Sequence, residues 1–317
     1  MPVFVPTSLA GVLEVTHVRG ADAPAGAVAD LLIEVPHGAT RRTHFDALRA
    51  QLNGPFPDDL VDFFFVNTDV GAPEAALALA AHVTRADPKR SVTVLVCQIP
   101  RTFIDCNRVI DQASAPTTST AGGMTPGVVR YVTDASDLAL LFARYAAYCA
   151  CVRSAVEQVC DSGGTAVLLH SYAPRSVDVP VDENIVQALH AAYAPDVEPT
   201  WPLRAEVDLI TRTPEGTLLA DPALVQSVRA AFAAGGIHAS ESGTYPLHPS
   251  TVAYAFATRW PTRTLCLELR RDLLVTRFTP FAEMQADTDK CDRLAALLAE
   301  GLVSFWDQAR GALADPR

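Results

Sequence analysis

Apolar, strand-like runs alternate along this chain with alanine-rich stretches of helical spacing, and this constrains the fold more than any other feature. The expected strands are LLIEV (31–35), DFFFV (62–66), VTVLV (92–96), TAVLLH (165–170), VDLIT (207–211) and RTLCLELR (263–270). Apolar spacing predicts helices over 73–86, 136–160, 182–193, 221–234 and 287–313. Pro73 suits a first helical turn, and Glu74 the positive end of its dipole. Strands that are apolar along both faces belong in a sheet covered on both sides. The fold class is therefore α/β. With 49% hydrophobic residues in a chain of 317, there is enough for one large domain or two modest ones. No linker or internal repeat divides it.

A net charge of −11 argues against a general nucleic-acid partner, which needs a basic face. It leaves room for a small anionic ligand, because a local arginine cluster can dominate the field inside one cleft. Seven scattered cysteines do not form a disulfide framework, and Cys149 and Cys151, one residue apart in a helical pattern, make poor zinc ligands. They read as free thiols of a reducing cytosol. The N-terminal stretch MPVFVPTSLAGVLEV lacks the basic start of a signal peptide. No uncharged apolar run reaches the roughly 18 residues a membrane span requires. A soluble, cytoplasmic protein with no membrane partner is the expectation; nothing in the sequence speaks to its oligomeric state.

One segment breaks the alternation. SAPTTSTAGGMTPG (114–127) reads as a long loop and a possible cover for an active site. Its paired glycines are not a phosphate-binding loop, since no GK[ST] follows.

Polar residues recur just beyond the predicted strands: His37 in EVPHGAT, Asp69 in VNTDVGA, Arg101 in QIPRTF and His170 in LLHSY. In open α/β sheets, ligands bind beyond the carboxyl ends of the strands. Two imidazoles and a carboxylate with an open fourth position make a common catalytic zinc site. Each residue also has a plainer role open to it: His37 in a turn, Asp69 capping the next helix, His170 as a satisfied core histidine. In RTLCLELRRD, period two puts Leu265, Leu267 and Leu269 on one face and Thr264, Cys266, Glu268 and Arg270 on the other. A carboxylate in so apolar a strand is costly unless it has a partner or a task. The choices are an ion pair with Arg270 or Arg271, or service as a general base.

The order PH–G, TD, R-x5-NR, HS and a late ELRR resembles the N-formylglutamate amidohydrolase family, of the zinc carboxypeptidase-like superfamily, over roughly residues 29 to 275. The resemblance implies a single zinc hydrolase domain over 1–317, with a mixed, largely parallel sheet flanked by helices on both faces. It implies one Zn2+ on His37, Asp69 and His170, Glu268 as general base and acid, and Arg101 polarising the scissile carbonyl. Asn107 and Arg108 would grip a substrate carboxylate, a task suited to a planar guanidinium beside a neutral amide donor. Arg175, just after His170, is a further candidate contact with the substrate, as is Tyr245, where the family often has an aromatic; both have packing or loop roles open to them, and His248 in the Tyr245 loop is a spare ligand candidate. The implied activity is hydrolysis of the amide or formamide of an N-acylated amino acid bearing a carboxylate. Here PHGATRR stands where the family has PHSG–P, and Leu168 stands where it has an aspartate two before the second histidine. The substrate therefore stays open. A zinc carboxypeptidase or amidase acting on peptides or cell-wall fragments, and a non-catalytic binder of an anionic metabolite, are the alternatives. A serine or cysteine hydrolase is the weakest, since no GxSxG elbow is present.

Overall fold

A computed structural model describes residues 3–110 and 126–314. Among them, seven strands form one mixed sheet: β1 (Leu13–Arg19), β2 (Leu31–Val35), β3 (Ser91–Cys97), β4 (Thr165–Tyr172), β5 (Val207–Leu209), β6 (Ala239–Glu241) and β7 (Thr264–Arg270). Their order is β1-β3-β2-β4-β7-β5-β6. The four central strands β3, β2, β4 and β7 run parallel. β1 joins one edge antiparallel to β3; β5 joins the other antiparallel to β7 and carries β6. After β3 the chain crosses back over β2 to place β4, and that reversal opens a crevice above the carboxyl ends of β2 and β4.

Period two divides the strand side chains between two cores. Leu31, Ile33, Val35, Leu265, Leu267 and Leu269 meet α3 (Ala72–Ala86), α6 (Pro222–Ala234) and α8 (Thr288–Ala314). Leu32, Leu168 and Cys266 face α1 (Arg42–Arg49), α2 (Leu60–Asn67), α4 (Ala135–Asp161), α5 (Ile185–Ala192) and α7 (Val252–Arg259). The sheet is mixed, largely parallel and helix-covered on both faces, as expected.

By length and composition α4 would suit a membrane. It lays Leu141, Tyr148, Val152 and Val156 into the core instead. The Tyr148 hydroxyl donates to Glu34 of β2, so a buried carboxyl on the sheet is answered from the helix above it.

One expected strand is a helix. DFFFV (62–66) lies within α2, so Asp69 follows a helix and not a strand end. The run Phe63–Val66 is continuously apolar, which leaves no period to read; its phenylalanines only raise the β-propensity. What decides the matter is packing: Leu60, Phe63 and Phe64 at helical spacing reach the core together, where Phe64 meets Phe45 at 5.4 Å and Phe45 stacks on Phe103 at 5.2 Å. Of the loop expected over 114–127, residues 114–125 lie outside the described residues.

Candidate active site

Three polar side chains meet above the crevice. His37 leaves β2 two residues past its end, Asp69 sits in the turn between α2 and α3, and His170 lies in β4. The turn is clasped to the exit of β2 through its backbone. The Asp69 amide donates to the His37 carbonyl (3.2 Å), and the Thr68 hydroxyl to the Ala39 carbonyl (2.7 Å). Gly38 lets the exit of β2 lie close against β3, since a Cβ there would meet Val96 Cγ1 at 2.3 Å. This departure from PHSG is thus explained by close approach.

Nδ1 of His37 lies 3.2 Å from Asp69 Oδ2, Nδ1 of His170 lies 3.0 Å from the same oxygen, and the two Nδ1 atoms are 3.3 Å apart. All three residues are buried. These are three lone-pair donors turned on one point. Burial by itself would raise the Asp69 carboxyl, but the two imidazoles outweigh it and hold Asp69 below the usual carboxylate range. Burial likewise opposes a charge on His170, yet Asp69, Cys266 and Glu268 outweigh it and raise its pKa well above normal. A field that draws a proton so strongly also draws a cation. The donor spacings match the edge of about 3.3 Å in a tetrahedron with zinc–ligand bonds near 2.0–2.1 Å. The donor set fits a divalent ion.

Glu268 stands beside His170, in register across the β4–β7 pair. It is not in either of the ion pairs open to it: Arg270 binds Asp272 (2.9 Å), and the buried Arg271 donates to the carbonyls of Val66 (2.8 Å) and Ser171 (3.1 Å). Glu268 Oε2 is buried with no hydrogen-bond partner among the described residues. Desolvation pushes this carboxyl upward, partly offset by His170.

Asp105, four residues after Arg101 and not singled out by the sequence, ties the site together. Fully buried, it accepts from His37 Nε2 (2.8 Å), Arg101 Nε (2.9 Å) and the Asn107 amide (2.9 Å), with Arg108 at 3.8 Å. It turns His37 so that Nδ1 faces Asp69. Arg271 is the second residue the sequence did not single out for the site: its guanidinium approaches Asp69 Oδ1 at 4.0 Å and braces α2 against β4.

The remaining expected residues line one cavity of about 210 Å³ above the cluster: Arg101, Asn107, Arg108, Arg175, Tyr245 and His248. Asn107 Nδ2 is 3.4 Å from His170 Nε2. Tyr245 receives a hydrogen bond from Arg204, whose guanidinium lies 5.2 Å over the Tyr245 ring. Arg204, a cation in the cavity wall, was also missed. The loop that carries Tyr245 is held by Asp208, which accepts from the amides of Gly243 (3.0 Å) and Thr244 (2.6 Å). Arg175 donates to the Trp201 carbonyl (2.7 Å). His248 bonds Ser250 (2.8 Å) and stays out of the donor cluster.

Sheet and crevice together define an open α/β fold with a polar cleft at the carboxyl ends of its central strands. The sequence model of N-formylglutamate amidohydrolase matches residues 78–275, more than half of the chain, and the protein belongs to that family. His37 and Asp69 precede the matched stretch, and the fold brings them to His170 and Glu268 within it. Among solved structures, the N-formylglutamate amidohydrolase of Ralstonia eutropha JMP134 is 19% identical and matches with a TM-score of 0.54 over 95% of this chain and 99% of that one. A gene product of Agrobacterium tumefaciens is 16% identical and matches with a TM-score of 0.52 over 94% and 96%. At such identities the likeness is one of fold. No curated protein matches the sequence.

Proposed function

We propose that this chain is a zinc-dependent amidohydrolase that cleaves the amide or formamide bond of an N-acylated amino acid bearing a carboxylate, with N-formylglutamate as the reference substrate. The observation that carries this reading is the convergence of His37, Asp69 and His170 donor atoms within 4.8 Å of one another, beside a buried carboxylate with an unpartnered oxygen. Those three residues would hold the ion. When bound, a divalent metal supplies Lewis-acid polarisation of a carbonyl and makes water a stronger acid.

The chain's own groups do the rest. Glu268 Oε2 takes a proton from water as it attacks the scissile carbon, then returns it to the leaving nitrogen. Desolvation suits the task, because it brings the carboxyl closer to working pH. Arg101, fixed through Nε by Asp105, presents the rest of its guanidinium to the oxygen on which negative charge develops. Asn107 and Arg108 anchor the carboxylate. Seven free cysteines support a reducing compartment, so the cytosol remains the proposed location.

The test pairs elemental analysis with a release assay across N-formyl, N-acetyl and peptide-capped amino acids. About one zinc per chain and formate released from N-formyl-L-glutamate are expected. Release confined to peptides would replace this reading with a carboxypeptidase. Metal-free protein that binds anions without turnover would replace it with a binding protein.

Two variants follow from the geometry. Asp105→Asn removes the carboxylate that orients His37, and should weaken zinc about 10- to 100-fold in competition with a chelator. Arg108→Ala removes a charge-assisted hydrogen bond, and should raise KM for carboxylate-bearing substrates by about 10- to 100-fold with a smaller change in kcat. A KM unchanged within twofold would rule out the anchor role.

A further inference from the structure

The cavity has two unlike halves. Arg101, Arg108, Arg175 and Arg204 make one polar. The other is hydrocarbon. Between β4 and α5 the stretch VDVPV (177–181) alternates: Val177, Val179 and Val181 line the cavity, while Asp178 and Pro180 are exposed. Ile185 and Leu189 of α5 continue this wall, and Phe63 of α2 closes it. Phe63 and Leu189 belong to one core cluster, and His190 Nε2 pairs with Asp62 Oδ2 at 2.8 Å on the exposed side of the two helices.

A formyl group and a glutamate side chain would cover little of this surface. Hydrocarbon facing a polar ligand stays wet, and the affinity it could contribute is unused. Ligand sites join a few placed polar groups to an apolar lining that matches the ligand's own apolar part. Of the substrates this site could hold, those with hydrocarbon to set against the valines gain most.

We infer that the substrate carries, besides the carboxylate held at Asn107 and Arg108, an apolar group of about four or more carbons that seats on the wall formed by Val177, Val179, Val181, Ile185, Leu189 and Phe63. This deepens the amidohydrolase reading and rests on it for the polar half of the site. The apolar group sits either on the acyl side of the scissile bond or on the amino-acid side chain.

Sulfonamides, which resist hydrolysis, separate binding from turnover. Calorimetric titration would compare methylsulfonyl-L-glutamate with hexylsulfonyl-L-glutamate and methylsulfonyl-L-norleucine. The sulfonamide and the α-carboxylate are common to all three; the hexyl ratio reports the apolar group alone, and the norleucine ratio reports hydrocarbon in place of the γ-carboxylate. Each buried methylene is worth about fourfold in affinity. At least one apolar ligand should therefore bind more than about tenfold tighter than the reference, and which one does so assigns the side. Val179→Asp and Leu189→Asp should each cut that gain below about threefold, in protein whose melting shows it folded. Apolar ligands no tighter than the reference, or a gain that survives both substitutions, overturns the inference. Formate release from N-formyl-L-glutamate without any apolar gain leaves the amidohydrolase reading standing and removes this one. A clear gain in protein that hydrolyses no amide does the reverse.

Discussion

Glu268→Gln should keep its zinc and lose turnover by about 10²- to 10⁴-fold, the span that a positioned general base supplies. Gln preserves shape and volume, and it removes only the ability to hold a proton. The donor trio does not include Glu268, so metal content by elemental analysis should equal that of the wild type. Stability should not fall either. The carboxylate oxygen is buried without a hydrogen-bond partner among the described residues, and a buried charge so placed costs more free energy than a neutral amide in the same position. The expected signature is thus an inactive enzyme, fully loaded with metal, melting at or above the wild-type temperature. A structural glutamate would give the opposite: activity retained and stability lost. Turnover within threefold of the wild type would remove Glu268 from the chemistry.

The late strand shows how much of this was legible. Alternation in RTLCLELR placed Glu268 opposite the leucines, and the structure sends Leu265, Leu267 and Leu269 to one core and Cys266 to the other. Long helices with a clear apolar stripe were equally readable, as α3 and α8 show. Short elements were readable only where a run was strongly apolar, as in β2, β5 and α5. α1 and α7 have eight residues each and β6 has three, too few for a period to stand out. β1 is a half-buried edge strand, and its mixed residues satisfy a neighbour that the sequence cannot name. Asp69 was singled out for its place after an apolar run, but the run is a helix; its backbone bond to His37, not a strand end, brings it to the site. Asp105 escaped because, four residues after Arg101, it resembles an ordinary surface pair. Only tertiary structure reveals that His37 lies against its other oxygen. Leu168 is buried in the helix-covered core beneath His170, where an aspartate would need a partner of its own. Orientation of a histidine by a carboxylate is found at His37 instead.

His170→Ala should abolish stable zinc binding, and activity with it. Two protein donors fall short of the three that hold a catalytic zinc with its fourth position open. His37, Asp69 and His170 belong to the exit of β2, the α2–α3 turn and β4, so an ion shared among them joins three segments far apart in the chain. Binding to the folded state alone stabilises it by about 2.7 kcal/mol when free zinc is at 100 times its dissociation constant. For a protein of this size that is a rise of several degrees in melting temperature. Chelator-treated wild type should therefore melt several degrees higher when zinc is restored, whereas His170→Ala should not respond. His248→Ala supplies the control. Its ring lines the same cavity but bonds Ser250, outside the donor cluster, so this variant should bind zinc and shift as the wild type does. A zinc-induced shift retained in His170→Ala, or lost in His248→Ala, would mean that the ion is held by a different set of residues.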